Sequence, residues 1–310
     1  MMKRLILPLA ITLSLTACGK VVGIGAEIAS RTGVITSGQA KSLTTVAKKA
    51  EKTFQDITPE QEYYLGRAVG ATIVDKYQAQ DHPSENRYLN LIGKTLVLSS
   101  EKPEEYANYH FLILETDEVN AFAAPSGFIF VSKGMLALCE NEDDLAAVLA
   151  HEIGHVLHSH ALKSIEGSRL TSALTTLATE GAKQTGVYQI TSLTRQFEGS
   201  IDDMTQTMMN SGYSRSLESE ADESAVKILQ ASGYDANGLL RVLKRMKVKT
   251  AGHSKGFAAT HPDMDDRISE ISSLINAQPT NPLASNRTAR FKTRLNFNDN
   301  HSNEDDHSHN

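Results

Sequence analysis

Apolar residues recur along the chain at spacings that predict helices and short strands. A continuous apolar run, Leu145–Ala150, follows the polar stretch Asn141–Asp144, which offers a helix cap and acidic residues in the first turn. Further along, apolar or small residues fall at helical spacing ahead of Gly233, a natural helix stop: Leu217, Ala221, Ala225, Ile228 and Leu229. These patterns predict two helices, of which the first is buried.

Shorter segments predict a small sheet packed among further helices. Helical patterns cover Pro59–Lys76 and Glu85–Ser99, and Pro125–Gly127 is typical of a hairpin turn. The predicted strands are Tyr109–Leu114, Ala121–Ala124 and Phe128–Ser132. An open edge strand would let an extended peptide pair with it, and a strand paired inside the sheet is the alternative. The pattern therefore predicts an α+β fold that is mainly helical.

The buried helix carries the sequence His151-Glu152-Ile153-Gly154-His155. Histidines four residues apart project from one helix face, with Cβ atoms about 6 Å apart, so they can share one tetrahedral zinc ion. Glu152 lies one step round the helix and can take a proton from a water on the metal without being a ligand. Two ordinary histidines on a helix face are the alternative, because the five-residue pattern also arises by chance.

The second helix offers a third ligand, since Glu218 and Asp222 are four residues apart and share a face. Glu218 is expected to bind the metal, and Asp222 to accept the free ring N–H of a ligating histidine. Glu220 points away and is expected to be solvated. His158 and His160 are expected to be structural or exposed rather than ligands. A surface helix rich in carboxylates is the alternative for the whole segment.

This combination resembles the gluzincin metallopeptidases of the HtpX and mitochondrial Oma type, and most closely their periplasmic BepA- and LoiP-like members. The likeness extends from about Ile57 to Ile275. Besides the HExxH and Glu-x-x-Ala-Asp motifs, it covers Ile57–Glu62, Asn120–Ala123, Gly127–Val131, Thr260–Pro262 and Arg267. The resemblance implies a zincin-type metallopeptidase domain with a small β-sheet. It also implies one Zn²⁺ per chain, bound by His151, His155 and Glu218, with Glu152 as the catalytic base.

His261 has more than one expected role. It precedes Pro262 and follows the glycine-rich stretch Gly252–Gly256. In the resembling periplasmic enzymes this histidine lies on a loop that can reach the metal. There it would either fill the open metal position and hold the enzyme latent, or act as a catalytic residue that polarises the tetrahedral intermediate. A plain loop histidine is the third reading. The glycines suggest mobility and favour the latent role.

The N-terminus predicts export and a lipid anchor. Met1–Arg4 is basic, and the apolar run Leu5–Leu15 is too short to span a bilayer. Leu15–Cys18 resembles a bacterial lipobox, in which Cys18 becomes the lipidated first residue; an ordinary signal peptide with a coincidental cysteine is the alternative. Gly19 rather than Asp follows the cysteine, which favours the outer membrane by resemblance to Gram-negative lipoproteins. We expect a periplasmic protein that several acyl chains hold on that membrane.

Composition agrees with one secreted domain. The 310 residues carry a net charge of −6 at pH 7 without a basic patch, so nucleic acid is set aside as a partner. With Cys18 acylated, Cys139 has no intrachain partner and is expected to be a small buried hydrophobe. The expected organisation is a lipoprotein signal peptide (1–17), a tether (18–55), the zinc metallopeptidase domain (56–276) and a disordered Asn/Asp/His-rich tail (277–310).

The function expected from these features is that of a zinc-dependent endopeptidase of the bacterial periplasm. Its substrates are expected to be unfolded, misassembled or damaged envelope proteins, by resemblance and compartment. The alternative is a chaperone or assembly factor for outer-membrane proteins, with proteolysis secondary. We expect no C-terminal repeat domain, because the residues after 276 leave no room for the long helical-repeat domain of BepA-like proteins.

Overall fold

Helices dominate the fold, and a small sheet lies among them. The computed structural model describes residues 57–79, 82–165, 197–249, 257–275 and 283–295. Its helices are α1 (Pro59–Tyr77), α2 (Pro83–Val97), α3 (Lys133–Leu138), α4 (Glu142–Leu157), α5 (His160–Lys163), α6 (Glu198–Gln206), α7 (Arg215–Ser232), α8 (Asn237–Lys249), α9 (Phe257–Thr260), α10 (Met264–Leu274) and α11 (Ala284–Arg294).

The predicted signal peptide, Cys18 and the tether all fall in residues 1–56, outside the described residues. The glycine-rich stretch Gly252–Gly256 also lies outside them. In the part of the chain that the structure describes, no helix is both long enough and apolar enough to cross a membrane.

The sheet has three strands: β1 (His110–Leu114), β2 (Ala121–Ala124) and β3 (Phe128–Ser132). Their order is β1-β3-β2, with β1 parallel and β2 antiparallel to the central β3. β2 and β3 form the predicted hairpin through Pro125–Gly127, where Gly127 has a φ of +80° that favours glycine. The predicted α+β fold is confirmed, and β2 is an edge strand of the described sheet.

α4 runs through the core, and every residue from Glu142 to Val156 is buried. The predicted cap is present, because the Asn141 side chain accepts a hydrogen bond from the Asp144 amide at 3.0 Å. α4 packs closely on α7: a Cβ at Gly154 would lie 2.7 Å from the carbonyl oxygen of Ala221. This approach of two backbones brings the two motif-bearing helices together.

The start of α4 binds α11, which corrects the prediction of a disordered tail from residue 277. Arg287 of α11 pairs with buried Asp143 at 2.9 Å, and the Arg290 Nε donates to Glu142 at 2.6 Å. Phe291 is buried beside them. The partners of this segment, Glu142 and Asp143 of α4, lie more than a hundred residues away in sequence. Its composition alone therefore predicts disorder. Residues 296–310 of the predicted tail lie outside the described residues.

Candidate metal centre

The facing sides of α4 and α7 bring three predicted ligands together. The Nε2 atoms of His151 and His155 lie 3.1 Å apart. Each is 3.5 Å from a carboxylate oxygen of Glu218. All three side chains are buried, with at most 1% of their surface exposed. Two nitrogens and a carboxylate therefore converge on one point, as they would around a metal ion.

His261 joins the same cluster from the segment that follows α9. Its Nδ1 lies 3.0 Å from Glu218 Oε1 and 3.3 Å from His151 Nε2. The cluster thus consists of His151, His155, Glu218 and His261. Each offers one ligand atom, and these atoms all lie within 4.8 Å of one another. The ring stacks on Phe257 with centroids 3.9 Å apart, and the Phe257 amide donates to the Val119 carbonyl at 2.8 Å. The segment is thus fastened to the chain just before β2, and His261 is not a plain exposed loop residue.

Glu152 lies beside the cluster without joining the ligand set. Its Oε1 atom is buried and has no hydrogen-bond partner among the described residues. The nearest ring nitrogen, His261 Nε2, is 3.9 Å away, beyond hydrogen-bonding distance. Burial raises the pKa of the Glu152 carboxyl. A carboxylate in this state is a good proton acceptor for a molecule placed between it and the cluster.

Asp222 takes the position that helix geometry predicts for it. Its Oδ1 lies 2.9 Å from His151 Nδ1, the ring nitrogen that faces away from the cluster. Arg267, from α10, donates to both oxygens of Asp222 at 2.7 Å and lies 2.8 Å from Glu218 Oε2. Burial favours the protonated form of Asp222, but Arg267 and His151 together outweigh it and lower the pKa of this carboxyl. The pKa of the Glu218 carboxyl is also lowered against burial, by His261 and Arg267.

His155 has a partner on its other ring nitrogen that sequence reasoning missed. Its Nδ1 lies 2.8 Å from His160 Nδ1, and His160 Nε2 lies 2.9 Å from Glu220 Oε2. His160 is fully buried, and burial lowers its pKa to about 4. Glu220 is partly solvated, as predicted, with its side chain 42% exposed, but it also binds His160, a contact that the sequence did not predict. Ser159 has a φ of +52°, so the chain leaves the helical period of α4, from which His160 was predicted not to contact the ligands.

Tyr213 is a second neighbour of the cluster that the sequence patterns did not single out. Its ring stacks on His155 with centroids 4.5 Å apart, and its amide donates to the Thr260 carbonyl at 3.2 Å. The hydroxyl is buried and has no hydrogen-bond partner in the described part of the chain. Tyr213 stands just before α7, outside any helical pattern, so only the folded structure shows that it packs against the site.

Comparison with known proteins assigns the family. Residues 83–275, which include all the cluster residues, match the model of peptidase family M48. The chain is 26% identical over 255 residues to a beta-barrel assembly-enhancing protease of Yersinia pestis, covering 76% of this chain and 51% of the relative. It is 28% identical over 234 residues to a putative beta-barrel assembly-enhancing protease of Vibrio cholerae, covering 74% and 47%.

A eukaryotic relative shows the same likeness: the mitochondrial metalloendopeptidase OMA1 of Schizosaccharomyces pombe is 26% identical over 229 residues, covering 71% of this chain and 63% of the relative. The chain spans about half the length of the bacterial relatives it matches. The predicted resemblance to the HtpX and Oma type of metallopeptidase is confirmed. With the family match covering most of the chain and the motif residues converging, the chain belongs to peptidase family M48.

Proposed function

We propose that this protein is a zinc-dependent endopeptidase of the bacterial periplasm that hydrolyses unfolded or misassembled envelope proteins. In this proposal His151, His155 and Glu218 bind the metal, and Glu152 is the catalytic base. The observation that carries it is the convergence of those three buried ligands, with the unpartnered Glu152 oxygen beside them.

The charge and chemistry of the cluster fit a divalent ion such as Zn²⁺. Imidazole nitrogens with one carboxylate form a donor set that suits zinc. When Glu152, Glu218 and Asp222 are all ionised, Arg267 balances one of their charges and leaves two negative charges in a buried site. A divalent cation would neutralise that remainder. Buried charges of one sign are costly, so the fold itself favours the ion.

The mechanism follows from where each side chain stands. Zinc bound here would supply a Lewis acid that acidifies a water molecule and polarises the scissile carbonyl. Glu152 accepts the proton of that water at its free oxygen and passes it to the leaving amine. Such general acid–base help typically contributes a factor of about 10²–10⁴. Asp222 accepts the Nδ1–H of His151, which leaves the Nε2 lone pair free to bind a metal ion.

The edge strand β2 supports a preference for extended substrates. The Ser132 amide donates to the Asn120 carbonyl, so in this antiparallel ladder Phe122 and Ala124 also direct their peptide groups toward β3. Ala123 then presents its N–H and C=O on the opposite edge, where no described strand pairs with it. All of β2 is buried in this conformation, so an extended peptide could add there by β-pairing once the edge is uncovered. Unfolded and misassembled proteins offer such segments, whereas folded proteins keep them paired.

The described conformation fits the latent form of such an enzyme. His261 is 2% exposed, and its Nδ1 lies among the proposed ligands, where it would complete a four-ligand site. Its neighbour Phe257 is hydrogen-bonded to Val119, at the start of the proposed substrate edge. A closed metal site with no open position is not catalytic. Movement of the segment that carries Phe257 and His261 would open the fourth ligand position of the metal site. It would also uncover the beginning of β2.

The proposed location rests on sequence features and on the names of the relatives. Two bacterial relatives are named for the enhancement of beta-barrel assembly, which fits a role at the outer membrane. The N-terminal lipobox-like segment supports a lipid anchor there. An assembly factor for outer-membrane proteins, with proteolysis secondary, is the second candidate, and the same names favour it.

A digest of casein by the purified protein tests the proposal. Casein lacks stable structure, so it supplies extended segments. We expect cleavage that a zinc chelator abolishes and that added Zn²⁺ restores. Cleavage that survives complete removal of metal would contradict the proposal. Suppression of the aggregation of an unfolded outer-membrane protein without any cleavage, in wild type and in His261→Ala alike, would favour the assembly-factor role.

A further inference from the structure

The two histidines of the proposed metal site are supported in different ways on their outer sides. His151 meets a carboxylate directly, because Asp222 lies 2.9 Å from its Nδ1. His155 meets another histidine: its Nδ1 lies 2.8 Å from His160 Nδ1. Beyond that ring, His160 Nε2 lies 2.9 Å from Glu220 Oε2. A second imidazole is therefore inserted between one ligand and its carboxylate.

One proton arrangement satisfies every contact in this chain. If His155 gives its Nε2 lone pair to a metal, its Nδ1 carries the hydrogen and donates to His160 Nδ1. His160 then carries its own hydrogen on Nε2 and donates it to the Glu220 carboxylate. Both rings stay neutral, and each bond has one donor and one acceptor. The opposite tautomer of His160 would set two N–H groups against each other.

We propose that His160 and Glu220 are positioning residues that fix the tautomer and ring orientation of His155 for metal binding. This inference rests on the assignment of His155 as a metal ligand in the proposed function. Partners on the outer nitrogen of a ligating histidine raise its basicity and orient its ring, and their loss typically weakens metal binding by about 10–100-fold.

The local fold holds His160 in this position. α4 ends at Leu157, and Ser159 adopts a left-handed conformation with a φ of +52°, which non-glycine residues rarely adopt. This turn directs His160 back against His155. The Tyr213 ring then packs on both imidazoles, with centroid distances of 4.5 Å to His155 and 5.9 Å to His160. Backbone strain of this kind persists only where surrounding contacts hold it.

The chain of contacts also links the buried site to the surface. The Glu220 side chain is 42% exposed, and it lies 3.4 Å from His158 Nδ1 and 3.6 Å from Lys163 Nζ. By contrast, the support of His151 ends at Arg267, which is buried. A substitution at Glu220 can therefore affect the metal site through His160, although Glu220 itself lies partly on the surface. The proposal can thus be tested without a change in the core.

The test is the affinity of the purified protein for Zn²⁺, measured by competition with a chelator of known strength. We expect His160→Phe, which keeps the ring shape but offers no acceptor, to bind zinc about 10–100-fold more weakly. His160→Asn should recover part of that loss, because its side-chain oxygen can accept from His155. Glu220→Gln should bind severalfold more weakly, since it keeps an acceptor but loses the charge.

A matched control separates this role from general damage. Glu223→Gln changes an exposed carboxylate on the same helix, α7. It should bind zinc within about twofold of wild type, because no hydrogen bond or ion pair among the described residues joins Glu223 to a proposed ligand or to His160. Thermal unfolding of the metal-free variants reports any loss of fold. If metal-free His160→Phe is less stable than metal-free wild type, its weaker zinc binding does not test the proposal. The comparison of zinc affinity between Glu220→Gln and Glu223→Gln then tests it.

Zinc affinity in Glu220→Gln equal to that in Glu223→Gln would overturn the inference. So would His160→Phe with wild-type affinity. Neither result would touch the proposed function, because the wild-type protein would still bind zinc and cleave casein. A wild-type protein without measurable zinc affinity would instead overturn the proposed function, and the inference with it.

Discussion

Glu218 and Asp222 lie one turn apart on α7, but they touch different parts of the site. Glu218 reaches the point where the histidine nitrogens converge, whereas Asp222 contacts the outer nitrogen of His151 and the guanidinium of Arg267. We therefore expect Glu218→Ala to abolish tight zinc binding and Asp222→Ala to weaken it by roughly 10–100-fold. Chelator competition on both variants measures the difference. Equal losses would show that the two carboxylates do not have separate roles.

Two possible roles of His261 predict opposite changes in the rate of hydrolysis when its side chain is removed. In the latent reading, its Nδ1 completes the ligand set, so His261→Ala should raise the rate of hydrolysis of an unfolded substrate. If it stabilises the oxyanion instead, the same change should lower the rate by about 10²–10³. We expect the increase, because the ring lies inside the cluster. His158→Ala is the control. Unchanged activity from about pH 6 to 8 would reject both roles.

At the scale of elements, the contact between α4 and α7 depends on Gly154. A Cβ there would lie 2.7 Å from the Ala221 carbonyl, which is backbone and cannot rotate away. Gly154→Ala should push the helices apart, at a cost of about 1–3 kcal/mol in the free energy of unfolding that exceeds the gain in helix propensity. Thermal unfolding and zinc affinity should both fall.

Gly70→Ala is the matched control for this substitution. At Gly70 a Cβ would meet only the ring of Phe130, at 3.0 Å, and a side chain can adjust. Zinc affinity should stay at the wild-type level there. If Gly154→Ala also binds zinc as wild type does, the close approach of α4 and α7 is not needed to position Glu218.

Some of the helices and strands could be predicted from the sequence, and others could not. α4, α7 and the β2–β3 hairpin follow from local signals: a cap at Asn141, a stop at Gly233 and a turn at Pro125–Gly127. Helical spacing places His151 and His155 on one face of α4, whereas the choice of Glu218 as their partner also rests on the family resemblance. In contrast, α11 forms because distant acids on α4 bind its arginines. The His160–Glu220 contact depends on a left-handed residue that no periodic pattern indicates.

At the scale of the whole molecule, the predicted lipid anchor would hold the protein on a membrane. Cys18 lies outside the described residues, so the anchor remains a prediction from sequence. Cys18→Ser should block lipid attachment, because serine lacks the thiol that is acylated, and should leave the precursor uncleaved or release a soluble protein. Metabolic lipid labelling followed by fractionation measures this. Cys139→Ser is the control, and label retained on the Cys18 variant would exclude Cys18 as the modified residue.

In the proposed mechanism two histidines of α4 bind the metal, and Glu152 of the same helix transfers protons without binding it. Analysis of zinc content and peptide hydrolysis on one sample of Glu152→Gln tests this most directly. We predict wild-type zinc content, because Glu152 is not a ligand, together with loss of hydrolysis by a factor of about 10² or more. Loss of zinc from this variant, or hydrolysis at the wild-type rate, would contradict the account.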